Sequence, residues 1–235
     1  VTTRAQATDG QVDRPGAQQW VPPGVGLDGL REAAPACRGC ELWEPATQVV
    51  FSAGEPTARI ALVGEQPGDQ EDRQGKPFVG PAGQLLDRAL TEAGIDRDEV
   101  YVSNAVKHFR FTQSAPGKRR IHQSPDRVHI EACRPWLAAE LAIVDPEVVV
   151  CLGATAAKAL LGPSFRVTKS RGQLFPRLVA DETDAGAVQN GFLMATIHPS
   201  AVLRAGTGSS DPEQAREEAY AGLVADLKVA RAALA

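Results

Sequence analysis

Three groups of residues in this chain have types and spacings that could do chemistry. The first is its four cysteines: Cys37-Arg38-Gly39-Cys40, Cys133 and Cys151. Two thiolates separated by two residues reach the same side of a turn, and four thiolates fit zinc or an iron–sulfur cluster alike. A redox disulfide fits the pair less well, because it does not follow a strand as a thioredoxin-type motif does. Buried free thiols remain the alternative for the two distant cysteines. The second group is polar residues that directly follow apolar runs: Gly64-Glu65-Gln66-Pro67-Gly68, Ser103-Asn104, Gly153-Ala154-Thr155 and His198-Pro199-Ser200. Glu, Asn and His at one edge supply a carboxylate, a carboxamide and an imidazole, the groups used to orient, hydrogen-bond and protonate a ligand. The third is a basic stretch. From Lys107 to Arg127 six Lys/Arg (107, 110, 118, 119, 120, 127) face one Asp (126), a local balance of +5 in a chain of net charge −4. Such a patch suits a phosphate backbone.

These groups need elements to bring them together. Apolar runs at 58–64, 99–106, 147–153 and 191–200 read as buried strands. Helical periodicity covers 82–94, with Gly94 as its stop, then 126–144, where Pro135 predicts a bend or late start, and 154–162, ending on Gly162. A closing helix over 211–235 has Asp211 as its cap and Pro212 at its first position. The stretch between 162 and 191 reads as hairpin-like or irregular. Strands alternating with helices predict an α/β fold, a single-domain three-layer α/β/α sandwich with a mostly parallel four-stranded central sheet. All four polar motifs then fall at carboxyl ends of strands, where such sheets form their ligand crevice.

At 235 residues with 43% hydrophobic content the chain is long enough for one domain-sized core. The opening residues 1–26 are rich in Gly, Pro, Gln and Thr and read as a flexible tail, with the domain over 27–235. They lack the apolar stretch of a secretory signal, and no run elsewhere approaches a membrane span. A cytoplasmic monomer with no membrane partner is the expectation.

The set Cys-x2-Cys, GEQPG, PFVGPAG, SNAVK, a late cysteine pair and HPS resembles the family-four uracil-DNA glycosylases over about residues 36–230. The resemblance implies a 4Fe–4S cluster on Cys37, Cys40, Cys133 and Cys151, and uracil-containing DNA as partner. Two features depart from ordinary members. Gln66 stands where turnover enzymes commonly carry a small residue, and Gly117-Lys118-Arg119-Arg120-Ile121-His122 reads as an inserted loop. Both resemble the UdgX branch, whose members bond covalently to the uracil-derived site through the histidine of that loop.

Physical roles follow for each residue. Phe78 offers a flat face for a pyrimidine, and Asn104 can donate to a uracil carbonyl and accept from the ring N–H, a pattern cytosine lacks. His198 can donate to a uracil oxygen as the base leaves. His122 would add to the sugar before water does, with Glu65 orienting its ring. Gln66 and Asp72 would support the loop or position water at the substrate. Lys107, Lys118, Arg119 and Arg120 would hold phosphates. From the residues alone, the 118–122 stretch reads as a phosphate-binding loop with His122 a bystander; the resemblance makes it the nucleophile. Two other classes remain: a conventional glycosylase with turnover, and a non-catalytic iron–sulfur nucleic-acid-binding module.

Overall fold

The computed structural model describes residues 14–180 and 187–234. Helix α1 (Leu27–Ala33) leads to strand β1 (Ile60–Gly64), then α2 (Asp69–Gln74), α3 (Pro81–Ala93), β2 (Val100–Asn104) and the short strands β3 (Phe111–Thr112) and β4 (Ile121–His122). Next come α4 (Arg127–Val144), β5 (Val148–Leu152), α5 (Ala154–Leu161), α6 (Val167–Ser170), β6 (Leu174–Ala180), β7 (Ala187–Thr196), α7 (Pro199–Arg204) and α8 (Pro212–Ala232). Four strands run parallel in the order β2-β1-β5-β7, as the apolar runs predict. The sheet has a fifth strand, however: β6 joins the outer edge antiparallel to β7. It lies in the stretch read as hairpin-like or irregular, and its antiparallel pairing with β7 is the hairpin of that reading. Proline lacks the ladder donor and is tolerated at an edge, and the register shifts there between Pro176 and Leu178.

Alternation along the buried strands builds the layers. Ile60, Leu62, Val148, Val150 and Leu152 face α3 and α8, where Leu86, Leu90, Leu223 and Leu227 complete one core. Ala61, Val63, Val149 and Cys151 face the opposite layer, with Leu137 and Leu141 of α4 and Ala156 and Ala157 of α5. Helix α4 runs unbroken through Pro135. Asp211 caps α8 as read, its Oδ1 accepting from Gln214 N–H at 3.0 Å. No helix among the described residues is long and apolar enough to cross a membrane.

Part of the stretch read as a tail is tied to the fold: Ala17 is fully buried, and its N–H donates to Ala132 O at 2.8 Å. Gly16 N–H bonds Gly39 O at 3.0 Å, laying the segment across the Cys37–Cys40 turn. A third core of Ala17, Leu30, Leu42, Phe51, Val106 and Trp136 explains why composition misled here. The segment's few apolar residues find partners that only tertiary folding supplies. The rest of the predicted tail, residues 1–13, lies outside the described residues.

Candidate active site at the carboxyl edge of the sheet

Parallel pairing sets Gly64 beside Asn104 where β1 and β2 end. A Cβ at Gly64 would collide with Asn104 Oδ1 and with the Phe78 ring, so glycine is what allows these two side chains to close over the strand end. Phe78 is buried and holds φ at 56°, a left-handed conformation costing of order 1 kcal/mol or more for such a residue. The following helix accommodates it: a Cβ at Gly83, in the first turn of α3, would strike the Phe78 carbonyl. Glu71 ties the two loops together, accepting from Gly68 N–H at 3.1 Å and Gly80 N–H at 2.8 Å. Asn104 is 2% exposed, and its Oδ1 has no hydrogen-bond partner among the described residues. An unsatisfied buried acceptor costs about 1–3 kcal/mol and stands ready for a donor from outside the chain.

The Phe78 ring lies 5.9 Å from that of His198, 28° from parallel. His198 caps α7: its Nδ1 accepts from Ser200 N–H at 3.1 Å and sits 2.8 Å from Ser200 Oγ. That bond places the ring proton on Nε2. Burial, with the nearby charges of Arg204 and His122 adding to it, pushes the imidazole down to about 4. His198 is therefore a neutral Nε2–H donor at physiological pH. Helix capping creates that state.

His122 arrives from the β3–β4 hairpin, opposite Phe111. Its Nε2 lies 3.5 Å from Glu65 Oε1 and 3.0 Å from Gln66 Nε2. Glu65 is held in turn by the Thr155 hydroxyl, which donates to its other oxygen. Gln66 grips both strands of the hairpin. Its Oε1 accepts from Arg110 N–H at 3.1 Å, and its Nε2 donates to Arg110 O at 3.1 Å and Gln123 O at 2.9 Å. Burial lowers the His122 pKa, Glu65 opposes the shift and Arg204 adds to it. With its side chain 48% exposed, His122 joins the site edge to solvent.

The whole arrangement is a crevice with one unpaired acceptor, one neutral donor and one neutral imidazole backed by a carboxylate. Residues 51–228 match the model of the uracil DNA glycosylase superfamily. The chain belongs to that superfamily. It is 36% identical over 182 residues to the type-4 uracil-DNA glycosylase of Sulfurisphaera tokodaii, covering 75% of this chain and 76% of that one. It is 37% identical over 176 residues to the type-4 enzyme of Thermotoga maritima, covering 74% and 82%. A type-4 enzyme of Pyrobaculum aerophilum matches at 35% over 178 residues, covering 76% and 85%.

Within this superfamily member, several expected site residues have other duties. Asp72, expected to support the loop or position water at the substrate, is fully buried; its oxygens accept from Thr47 N–H at 3.0 and 3.1 Å and from Arg120 Nη1 of that loop at 2.6 Å. Arg120, expected on phosphates, has its side chain 7% exposed and also pairs with Asp69, its guanidinium 4.9 Å from the Phe111 ring centroid. Lys107, also expected on phosphates, is 1% exposed and paired with Glu140. Lys107 and Arg120 were read from the charge of the basic stretch, which does not distinguish a solvated cation from one enclosed with a carboxylate. Gln66 likewise braces the hairpin. Lys118 and Arg119 are exposed at the hairpin, where phosphates can reach them.

The cysteines divide three to one. Cys37, Cys40 and Cys133 share the core formed by the N-terminal segment and the start of α4. Trp136 Nε1–H donates to Cys37 Sγ and Lys107 N–H to Cys133 Sγ, both at 3.3 Å. Burial pushes both Cys133 and Cys151 up to about 12; Cys133 also feels Lys107, which lowers it, and the smaller raising effects of Cys40 and Cys37, whereas burial is the whole cause for Cys151. The expected fourth ligand thus stands apart: strand alternation turns Cys151 into the core beneath α4 and α5. His108 is buried and directly follows Lys107, whose N–H donates to Cys133 Sγ; burial pushes its imidazole down to about 4, with Asp72 opposing the shift and Arg38 adding to it. The residues alone singled out Thr155 within a strand-end motif but gave it no role, and did not point to His108 or Glu71. His108 had a signal, an imidazole directly after SNAVK; Glu71 had none beyond its place after a motif turn.

Proposed function

We propose that this protein recognises uracil in DNA, breaks the bond from base to sugar, and joins the sugar to His122. The observation that carries the covalent step is the hairpin, which sets the His122 imidazole against Glu65 and Gln66 at the edge holding Asn104 and His198. Uracil flipped from the stack lies on Phe78. The unpartnered Asn104 Oδ1 accepts its ring N–H and the amide N–H donates to a carbonyl. As the C1′–N1 bond breaks, its electron pair passes to the base, and His198 Nε2–H stabilises the resulting anion. A lone pair of the His122 imidazole then bonds the cationic C1′, and Glu65 stabilises the imidazolium until its remaining N–H proton is lost. Uracil leaves after taking up a proton.

The reading includes a 4Fe–4S cluster. Three buried thiols, two of them receiving N–H bonds, suit cluster ligation, and His108 is the candidate for the fourth position in place of Cys151. When bound, a cluster would staple the segment carrying Cys37 and Cys40 to α4.

The test is a denaturing gel with uracil-containing single-stranded DNA. The parent protein yields a conjugate stable to detergent and heat, and tryptic mapping places the link on His122. His122→Gly removes the conjugate and leaves alkali-sensitive abasic DNA, because Asn104, Phe78 and His198 still act on the base. A link at another residue, or an undiminished conjugate from His122→Gly, refutes the covalent role. Free abasic DNA from the parent would make it a conventional turnover glycosylase.

A further inference from the structure

Lys107 is enclosed more completely than any other cation described here, at 1% exposure. Its ammonium lies 2.5 Å from Glu140 Oε1, a carboxylate with no exposed surface. It also donates to Ser103 Oγ at 2.5 Å and to the main-chain carbonyl of Asn104 at 3.0 Å. Two ammonium hydrogens thus meet oxygens of β2, Ser103 Oγ and Asn104 O, and the carboxylate of Glu140 neutralises the charge as an ion pair whose Oε1 has no hydrogen-bond partner among the described residues. Ser103 Oγ and the Tyr101 hydroxyl donate to Glu140 Oε2 at 2.5 and 2.9 Å, anchoring the carboxylate from β2 itself.

The turn that this network grips is the one on which the site depends. Ala105 N–H and Val106 N–H donate to the carbonyls of Gly64 and Glu65 at 2.9 and 3.0 Å, and Lys107 N–H donates to Cys133 Sγ at 3.3 Å. One short segment therefore carries the Asn104 carboxamide, holds the backbone of Glu65 and touches the cysteine core. A buried ion pair is an inefficient way to stabilise a fold, since apolar residues of similar volume commonly serve as well. Its value here lies in direction: a charged donor aimed at the carbonyl of Asn104 fixes the strand end from which that side chain projects.

We propose that Lys107 and Glu140 are positioning residues for base recognition, holding Asn104 in the orientation that reads uracil. The inference rests on the uracil reading of the crevice. The discriminating variant is Lys107→Met/Glu140→Leu, which removes both charges and leaves neither ion unpaired. Single-turnover rates are measured against DNA concentration, with binding to uracil-free single-stranded DNA and the thermal unfolding midpoint recorded alongside. The expected result is a near-parental midpoint, unchanged binding to uracil-free DNA and an unchanged half-saturating concentration. The saturating rate on uracil falls by roughly 10- to 100-fold, as for a sub-ångström to ångström misplacement of a catalytic group. Competition between uracil and cytosine at the same position becomes less selective. Parental rate and selectivity in the folded double variant would overturn the proposal. Should that variant not fold, the isosteric Glu140→Gln serves in its place: a lower saturating rate at unchanged half-saturation supports the positioning role, and parental kinetics overturn it. The parent on the same DNA separates the two readings, because a parent that neither releases uracil nor forms a conjugate refutes the uracil reading itself.

Discussion

Asn104, proposed to read the base, and His122, proposed to bond the sugar, predict different phenotypes from their surroundings. Asn104→Ala removes the buried carbonyl acceptor and the amide donor, so processing of uracil falls by roughly 100-fold while binding to uracil-free DNA holds, as rates and filter binding would show. An equal loss on both DNAs would make Asn104 structural. The proposed role of His122 as nucleophile predicts a pH dependence. Attack needs neutral imidazole, and burial holds His122 below its ordinary 6.5. The conjugation rate is therefore level at neutral pH and falls only on acidification below that value. Glu65 raises the pKa, so in Glu65→Gln the fall moves to still lower pH while the plateau drops for want of a counter-charge. A profile breaking above 6.5 would contradict this assignment.

The β3–β4 hairpin is an element with too little pairing to stand alone, two residues per strand. Its position comes from outside, from Gln66 between its strands and from Arg120 reaching Asp69 and Asp72 on α2. Gln66→Ala removes the first of these anchors. The conjugation rate should drop by roughly 10-fold or more, with uracil release retained, because His122 alone depends on the hairpin's placement. A gel scored for conjugate and abasic DNA together reads both. Equal loss of the two products would instead tie Gln66 to the base.

At the scale of the molecule, the cysteine core joins the N-terminal segment to α4, and the strand-buried thiol lies elsewhere. Cys37→Ala should abolish visible absorption and iron content and lower the unfolding midpoint, whereas Cys151→Ala should keep both iron and colour, at the cost of only a small cavity. Loss of iron in Cys151→Ala would restore the four-cysteine centre. Charge behaves similarly. With Lys107 and Arg120 enclosed, fewer cations face phosphates than the basic stretch implies. Lys118→Ala and Arg119→Ala should each weaken binding to uracil-containing and uracil-free DNA alike, reducing the salt slope by about 1.

The parallel strands, the flanking helices and the edge on which Glu65, Asn104 and His198 gather were legible in the residues themselves. Apolar runs bounded by polar motifs have few ways to be buried, and strand ends in such a sheet converge by topology. Strand β6 was legible only as one of two alternatives, a hairpin, because Pro176 is compatible with a strand only at an edge, and edges are assigned by the whole sheet. The fates of Lys107, Arg120 and Asp72 depended on carboxylates and cations far along the chain, Glu140 among them. Cys151 has the right residue type for a metal, yet side-chain alternation in β5 directs it into the opposite core. Residue type and local period determined what each group is able to do; long-range packing decided which partner it meets, since burial and pairing exist only once distant segments are in contact.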